Sequence, residues 1–314
     1  MKYTEDDIIS LLKNTFPAPE NITGIGDDCA VISQCNINTL ITTDSLVEGV
    51  HFLRDKITPF DLGYKSIMVN VSDIAAMGGT PLYCFCSLSF PVDISADWIK
   101  EFTQGIKQAS DECGVSVLGG DTTASKRDIF INVSVVGEAK TPKYRHRAGV
   151  GDVICTTGTL GDSKAGLDIL LNGSSLTDDA QNYFIQKHNS PKAHVEEGKW
   201  LGACDSVTSM MDISDGLITD IKKLVSGSEI ALDSLPMSDE FKKNIEDFKI
   251  SLQSGEEYDL LLTVEQGKFE RVQKEYLDFF HKPLYRIGKV IGDGCVYTLN
   301  NKTIDITEQG YEHF

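Results

Sequence analysis

The sequence has no apolar run long enough to cross a membrane and little positive charge to attract polyanions. No uninterrupted apolar stretch reaches the roughly 18 residues that a membrane span requires, and the acidic segment 1–14 predicts an amphipathic helix rather than a signal peptide. The 314 residues include 29 Lys and Arg against 47 Asp and Glu, a formal charge of −18. Because nonspecific nucleic-acid binding requires clustered cations, neither a nucleic acid nor a membrane is expected as a partner.

Cysteine pairs with the spacing of redox or zinc sites are also missing. Eight cysteines are scattered along the chain, and none forms a C-x-x-C pair. Cys84 and Cys86 alternate within a predicted strand and therefore face the same side. This pattern favours reduced, partly buried thiols over disulfides or zinc ligands, which is typical of a cytoplasmic protein.

Several well-known catalytic fingerprints are absent as well. The chain contains no G-x-x-x-x-G-K-[ST], no G-x-G-x-x-G and no catalytic loop of the protein-kinase type. It also lacks G-x-S-x-G and H-E-x-x-H, which disfavours an α/β-hydrolase and a zinc protease of that class. Nucleotide or metal chemistry in this chain would therefore depend on a different arrangement of residues.

Apolar periodicity predicts alternating helices and strands in the first half of the chain. Pro59 suits the first turn of a long helix, and Gly78 and Gly79 would end it. Apolar residues alternate over 129–136, as in a half-buried strand. The predicted helices cover 5–14, 59–78 and 95–113, and the predicted strands cover 30–33, 39–44, 83–90, 115–118 and 129–136.

A basic stretch with proline and glycine interrupts this alternation near the middle of the chain. Residues 140–151 contain Pro142 and four basic residues within an otherwise acidic protein. A chain of 314 residues is longer than one core usually serves. We therefore predict a domain boundary here, which gives domains 1–140 and 141–314. The second half is predicted to contain strands at 152–157, 229–233 and 258–264 and helices near 162–171, 178–187 and 192–203.

Aspartates accompany glycine or threonine at predicted element ends in both halves. Each instance alone has an ordinary explanation, such as a turn at GIGDD or helix capping by Asp215. Asp73 shares a helix face with Asn70, and its carboxylate is either solvated or partly buried and paired. The seven aspartates with this pattern are Asp27, Asp28, Asp44, Asp73, Asp121, Asp212 and Asp215.

Convergence of these aspartates would require cations. Two carboxylates about 4 Å apart repel by roughly 4 kcal/mol at an effective dielectric constant near 20. Oxygen ligands without cysteine or histidine point to Mg²⁺, which completes its shell with water and substrate phosphates. Arg145, beside the predicted boundary, would suit a triphosphate or be a solvated linker charge.

Seven motifs in a fixed order resemble the thiamine-monophosphate kinase family, part of the superfamily that includes aminoimidazole ribonucleotide synthetase. The resemblance runs from residue 24 to the ending GYEHF. It implies an α/β (α+β) chain with the two-domain aminoimidazole ribonucleotide synthetase-like fold, whose N-terminal sheet pairs across a homodimer and whose C-terminal domain is also α/β. The motifs are GIGDDCAVI, ITTDSLVEGVHF, YKSIMVNVSDIAAMGGTPL, GGDTT, TGTLGDSKAGL, DISDGL and SGEEYDLL.

The resemblance implies ATP-dependent phosphorylation of thiamine monophosphate to thiamine diphosphate with several Mg²⁺ ions. The acceptor would be a phosphate oxygen, already anionic near neutral pH, so no catalytic general base is expected. We predict direct in-line transfer of the γ-phosphoryl group, in which positioning and electrostatics lower the barrier.

The resemblance also implies roles for individual residues. Asp28 is favoured over the adjacent Asp27, and the motif SGEEYDL, where relatives often have GEDYEL, leaves the choice between Glu256 and Glu257 open. Implied substrate contacts are His51, Glu256 and Tyr311, and implied ATP contacts are Gly120, Asp121, Arg145 and Ser214. Implied metal ligands are Asp28, Thr42, Thr43, Asp44, Asp73, Asp121, Asp212 and Asp215.

Three other functions remain open at this point. A related ATP-dependent synthetase would act on another phosphorylated or amide substrate. A Mg²⁺-dependent phosphohydrolase would release phosphate without an acceptor, and a noncatalytic partner protein would bind metal and nucleotide without turnover.

Overall fold

The computed structural model describes residues 5–15, 19, 22–33, 36–245, 247–307 and 310–311. The described residues form ten α-helices, one short 3₁₀ helix and thirteen strands, in the mixed α/β order that the periodicity predicts. The helices are α1 (Glu5–Thr15), α2 (Pro59–Ala76), α3 (Ala96–Cys113), α4 (Asp162–Asn172), α5 (Asp178–Asn189), α6 (Val195–Gly202), α7 (Leu217–Leu224), α8 (Asp239–Asn244), α9 (Ile250–Gln253) and α10 (Phe269–Phe280), with the 3₁₀ helix at Leu232–Ser234. The strands are β1 (Ile22–Thr23), β2 (Ala30–Ser33), β3 (Asn38–Val47), β4 (Thr80–Pro91), β5 (Ser116–Ser125), β6 (Phe130–Ala139), β7 (Val153–Thr156), β8 (Val207–Asp212), β9 (Gly227–Ala231), β10 (Leu260–Val264), β11 (Tyr285–Val290), β12 (Gly294–Leu299) and β13 (Lys302–Ile304).

Among the described residues, helices cover one face of the first sheet. Its six described strands have the order β1-β2-β3-β6-β4-β5, and β4 and β5 form its parallel pair. Ile131, Val133 and Val135 of β6 are buried towards α2, as the alternation predicts. α3 packs on the outer side of α2, where the backbones approach closely: a Cβ atom added at Gly105 would lie 1.9 Å from the carbonyl oxygen of Phe60.

The second sheet is covered on both faces. In the described part of the chain its strand order is β13-β12-β9-β11-β7-β10-β8. Ile154 of β7 belongs to a core that includes Ile221 of α7, whereas Cys155 belongs to a core that includes Tyr276 of α10. Every residue of β7 is buried, because a central strand between two helical layers has no solvent-facing side.

The segment between the two sheets ties them together. β6 ends at Ala139 and β7 begins at Val153, so the predicted boundary at residue 140 lies between the sheets, and the division into domains remains a prediction. Lys143 of the basic stretch is buried, and its Nζ donates to the carbonyl oxygens of Cys204 and Val207 at 2.9 Å each. This lysine therefore has a structural role.

Among the predicted strand ends that differ from the structure, two bear on the site. The strand predicted over 115–118 continues to Ser125, so Gly120 and Asp121 lie inside β5 rather than after it. The strand predicted over 39–44 continues to Val47, which places Asp44 in mid-strand. In both cases, ladder hydrogen bonds to a neighbouring strand extend the pairing past residues of low intrinsic strand preference.

Neither a disulfide nor a helix able to span a membrane occurs among the described residues. Seven cysteines lie in the described part of the chain and all are free thiols, with Cys84 and Cys86 buried on one face of β4 as predicted. None of the described helices is long and apolar enough to cross a membrane.

Candidate active site

Three carboxylates from distant parts of the chain converge between the two sheets. Asp28 lies in the turn before β2, Asp73 on α2, and Asp212 at the end of β8. One oxygen from each lies within 4.8 Å of the others, an arrangement able to hold a metal ion. We refer to these three residues as the carboxylate cluster, and to the space around them between the two sheets as the cleft.

Each carboxylate of the cluster is held by a different donor. The Thr42 hydroxyl donates to Asp73 Oδ2 at 2.5 Å, and the Ser72 hydroxyl donates to Asp212 Oδ2 at 2.5 Å. Arg145 Nη2 donates to Asp28 Oδ1 at 2.5 Å. The other oxygen, Asp28 Oδ2, is buried and has no hydrogen-bond partner among the described residues, so it remains available to a cation.

The carboxylates are electrostatically strained without a cation. Burial raises the pKa of Asp212 to about 8, and Asp28 adds to that rise. Burial and Asp44 raise the pKa of Asp73 well above its ordinary value. For Asp44, desolvation in the cleft and the carboxylates of Asp215 and Asp28 raise the pKa to about 6. All of these shifts mark negative charge that a bound cation would stabilise.

The loop between β8 and α7 is organised by Asp220, a residue that sequence reasoning missed. Its Oδ2 accepts from the backbone N–H groups of Ser214 and Asp215, at 3.0 and 2.9 Å. Lys223 pairs with Asp215 and lies 3.3 Å from Asp220 Oδ1. A signal was present, because Asp220 falls on the buried apolar face of α7, where an unpaired carboxylate would be costly.

The predicted substrate contacts line one cavity of about 640 Å³. His51 Nδ1 accepts from the backbone N–H of Val47 at 3.0 Å, and the Tyr311 backbone N–H donates to the carbonyl oxygen of Asp215. The tyrosine side chain is 45% exposed. The cavity brings together predicted residues of all three classes, namely His51, Glu256 and Tyr311 with Asp44, Ser214 and Asp215.

The structure separates the two adjacent glutamates that the motif left unresolved. Glu256 and Tyr258 line the 640 Å³ cavity, whereas Glu257 and Asp259 line a second cavity of about 720 Å³. Glu257 Oε1 accepts from the backbone N–H of Gly161 at 2.7 Å. Glu256 is therefore the acid that faces the predicted substrate contacts.

Lys65 of α2 is a second residue that sequence reasoning missed. Its side chain is 1% exposed, and its Nζ lies 2.9 Å from Glu256 Oε1. It lies next to Tyr64 in an almost fully buried helix. The signal in the sequence was a lysine at a position where apolar periodicity predicts a core residue, since a lysine is rarely buried unless it is paired.

The remaining predicted residues do not join the cluster within one chain. Thr43 points to the opposite face of β3 from Thr42, where its hydroxyl donates to the carbonyl oxygen of Val133 at 3.1 Å. Asp121 and Gly120 lie on the edge strand β5. Asp121 is aligned with Ser45 of β3 across two intervening strands, β4 and β6. The two residues are therefore three strand spacings apart, about 14 Å.

The chain is similar to known proteins over its whole length. A family model described as AIR synthase related protein, N-terminal domain, matches residues 26–139. The thiamine-monophosphate kinase of Buchnera aphidicola (subsp. Acyrthosiphon pisum) is 34% identical, with 100% of both chains covered. That of Aquifex aeolicus is 35% identical, over 99% of this chain and 98% of the relative.

The similarity extends to a solved structure, AaThiL complexed with AMPPCP and TMP. It superimposes with a TM-score of 0.87 at 33% identity, covering 100% of this chain and 99% of that one. Identity above 30% over complete chains, together with the shared fold, assigns the family that the ordered motifs indicate. The chain belongs to the thiamine-monophosphate kinase family.

Proposed function

We propose that this chain transfers the γ-phosphoryl group of ATP to thiamine monophosphate, forming thiamine diphosphate. The observation that carries the proposal is the position of the carboxylate cluster beside the cavity that contains His51, Glu256 and Tyr311. The related AaThiL structure, which holds AMPPCP and TMP, supports the same pair of substrates.

Mg²⁺ fits the residues of the cleft. The cluster supplies oxygen ligands alone, and the buried Asp28 Oδ2 has no partner in the described part of the chain. Asp28, Asp73 and Asp212, with Asp44 and Thr42 beside them, would hold the ions. Bound Mg²⁺ would neutralise the charge of the two phosphate groups that must approach each other.

Arg145 would provide the positive side chain for the nucleotide. It is oriented by Asp28, while its buried Nε has no hydrogen-bond partner among the described residues. A guanidinium with a free N–H suits a phosphate oxygen. Ser214, on the loop fixed by Asp220, lines the 640 Å³ cavity.

The cavity residues would recognise the thiamine moiety. Glu256 would accept a hydrogen bond from the aminopyrimidine, Tyr311 would offer a stacking face, and His51 would add a polar contact. Because the acceptor phosphate is already anionic, the protein aligns the reactants and needs no base.

A single assay tests the function. Purified protein is incubated with ATP and Mg²⁺, with and without thiamine monophosphate, while ADP, thiamine diphosphate and free phosphate are followed. We expect equal amounts of ADP and thiamine diphosphate, formed only with the acceptor. Phosphate release without the acceptor would indicate a phosphohydrolase instead, and binding without turnover would indicate a noncatalytic protein.

The mode of transfer is tested separately. We propose direct in-line transfer, so no phosphorylated protein is expected on incubation with ATP alone. Isolation of a phosphorylated chain that passes its phosphate to thiamine monophosphate would contradict direct transfer.

A further inference from the structure

Lys65 is held in the interior by one carboxylate and one carbonyl. Its Nζ lies 2.9 Å from Glu256 Oε1 and donates to the carbonyl oxygen of His188 at 3.2 Å. A buried ammonium is tolerated only when it is paired and hydrogen-bonded. The lysine and Glu256 therefore determine each other's positions.

The second oxygen of Glu256 lies near a histidine that lines the same cavity. Glu256 Oε2 lies 3.4 Å from His188 Nδ1, and the same nitrogen lies 3.1 Å from the Ser163 hydroxyl. Burial and Lys65 lower the pKa of His188 to about 4, so its imidazole is neutral near pH 7. Burial alone would raise the pKa of Glu256, but Lys65, His188 and His51 together outweigh burial and lower the pKa.

The backbone around Glu256 is fixed in an unusual conformation. Glu256 and Tyr258 have φ angles of 56° and 58°, in the left-handed region that favours glycine. The Glu256 N–H donates to the carbonyl oxygen of Ser214 at 2.7 Å, and Glu257 is anchored on the far side by Gly161. Such a conformation persists only where the surroundings determine it.

We infer that Lys65 is a positioning residue for substrate recognition. It holds Glu256 so that the carboxylate lone pairs that face the cavity accept a hydrogen bond from the amino group of the substrate's pyrimidine. The inference rests on the proposed function. Lys65 lies behind the carboxylate, on the side away from the cavity, and does not touch the substrate. Its removal should weaken binding of thiamine monophosphate while ATP binding and the chemical step remain nearly unchanged.

The first test is Lys65→Met, which keeps the length of the side chain and removes its charge. We expect the KM for thiamine monophosphate to rise at least 10-fold, while the KM for ATP and kcat change less than about 2-fold. Lys143→Met is the matched control, because Lys143 is also a buried lysine but bonds only carbonyl oxygens. It should lower the Tm without changing the ratio of the two KM values.

A second comparison separates positioning from a general structural role and does not depend on the single variant folding. Glu256→Gln and the double variant Lys65→Met/Glu256→Gln should have the same KM for thiamine monophosphate, because the lysine acts through the carboxylate. A further rise of 3-fold or more in the double variant would overturn the inference. So would an unchanged KM in folded Lys65→Met.

A substrate analogue identifies the hydrogen bond itself. Thiamine monophosphate without the pyrimidine amino group should have the same KM with wild type and Lys65→Met. If the substitution raised the KM for this analogue as much as the KM for thiamine monophosphate, the inference would be overturned. If the wild type does not phosphorylate thiamine monophosphate at all, the proposed function fails; if it does and these comparisons fail, only the role of Lys65 is lost.

Discussion

At the scale of single residues, the cleft is defined by carboxylates that the fold leaves short of positive charge. Arg145 neutralises Asp28 in part, while Asp73 and Asp212 receive hydroxyl donors, which orient them without balancing their charge. Neutral donors therefore fix the geometry, and the charge remains for a cation to balance.

The first prediction concerns Asp44, whose raised pKa shows that its charge is unfavourable in the absence of a cation. Asp44→Asn should reduce turnover about 100-fold or more, in line with the loss of one electrostatic contact to the transition state. Without Mg²⁺ its Tm should be unchanged or higher, since the repulsion is gone.

ADP formation and thermal unfolding measure these two quantities. Asp278→Asn, which alters an exposed carboxylate of α10 outside the cleft, is the control and should behave as wild type. Full activity in Asp44→Asn would remove Asp44 from the site.

The second prediction concerns His194, which links α6 to the strand segment behind the site. Its Nε2 lies 3.1 Å from Asp259 Oδ1, and its Nδ1 lies 3.2 Å from Glu197 Oε1, which also pairs with Lys282. Burial alone would lower the pKa of His194, but the two carboxylates outweigh it and raise the pKa to about 9 from 6.5.

Because the folded-state pKa lies above the unfolded one, the stabilisation is complete below pH 6.5 and is lost as the pH rises through 9. Urea unfolding measures the free energy of unfolding at pH 6 and at pH 9.5. Between these pH values, the wild type should lose roughly 2–3 kcal/mol more of this free energy than His194→Gln. An equal loss in both proteins would show that His194 is not charged in the folded state.

At the scale of elements, α2 connects the parts of the site. Ser72 reaches Asp212 of β8, Asp73 reaches Thr42 of β3, and Lys65 reaches Glu256. The helix is almost entirely buried between the first sheet, α3 and α6. Its position therefore sets the relative placement of the cluster and the substrate cavity.

The third prediction tests this placement through Gly105 of α3. A Cβ atom there would lie 1.9 Å from the carbonyl oxygen of Phe60 and 2.8 Å from the backbone nitrogen of Tyr64, so α2 and α3 would have to move apart. Gly105→Ala should lower the free energy of unfolding by about 1–3 kcal/mol, as overpacking does. Gln104→Ala, an exposed neighbour, is the control, and equal stability of the two variants in urea unfolding would contradict the close packing.

At the scale of the whole molecule, one face of the first sheet is apolar, and none of the described helices covers it. Tyr83 and Phe85 of β4 and Phe130 of β6 lie on this face and are each at least 40% exposed. Exposed apolar surface of this kind marks an interaction site. We propose that a second copy of the chain covers this face, and that Asp121 and Gly120 of the partner subunit complete the cleft. Within one chain, Asp121 is separated from Ser45 by three strand spacings, about 14 Å.

The fourth prediction follows from a shared site. Asp44→Asn and Asp121→Asn homodimers should each be inactive, but mixing and reassembling them should restore activity. One cleft of a hybrid dimer then has both native aspartates, so up to about a quarter of wild-type activity is expected. Light scattering should show a dimer throughout, and an inactive mixture of reassembled dimers would place both aspartates in one chain's site.

Much of the fold followed from local signals. Thr58 and Ser95 accept N-cap hydrogen bonds at the starts of α2 and α3, where the sequence predicts these helices to begin. The predicted ends of β3 and β5 were wrong, because pairing with neighbouring strands rather than local preference determines where these strands end. The pairing of Lys65 with Glu256 could not be predicted either, since it joins segments far apart in the chain.

The sequence alone determined the mixed α/β order and the family, and it named Asp28, Asp73 and Asp212 among the candidate ligands, because these depend on local periodicity and on ordered motifs. The tertiary structure decided that Glu256 rather than Glu257 lines the cavity of His51 and Tyr311, that Lys65 pairs with Glu256, that Asp220 organises the loop after β8, and that Asp121 lies apart from its own chain's cluster. These features depend on how distant segments pack. A buried charge is costly unless it is paired, and its partner comes from a distant segment that no local pattern specifies.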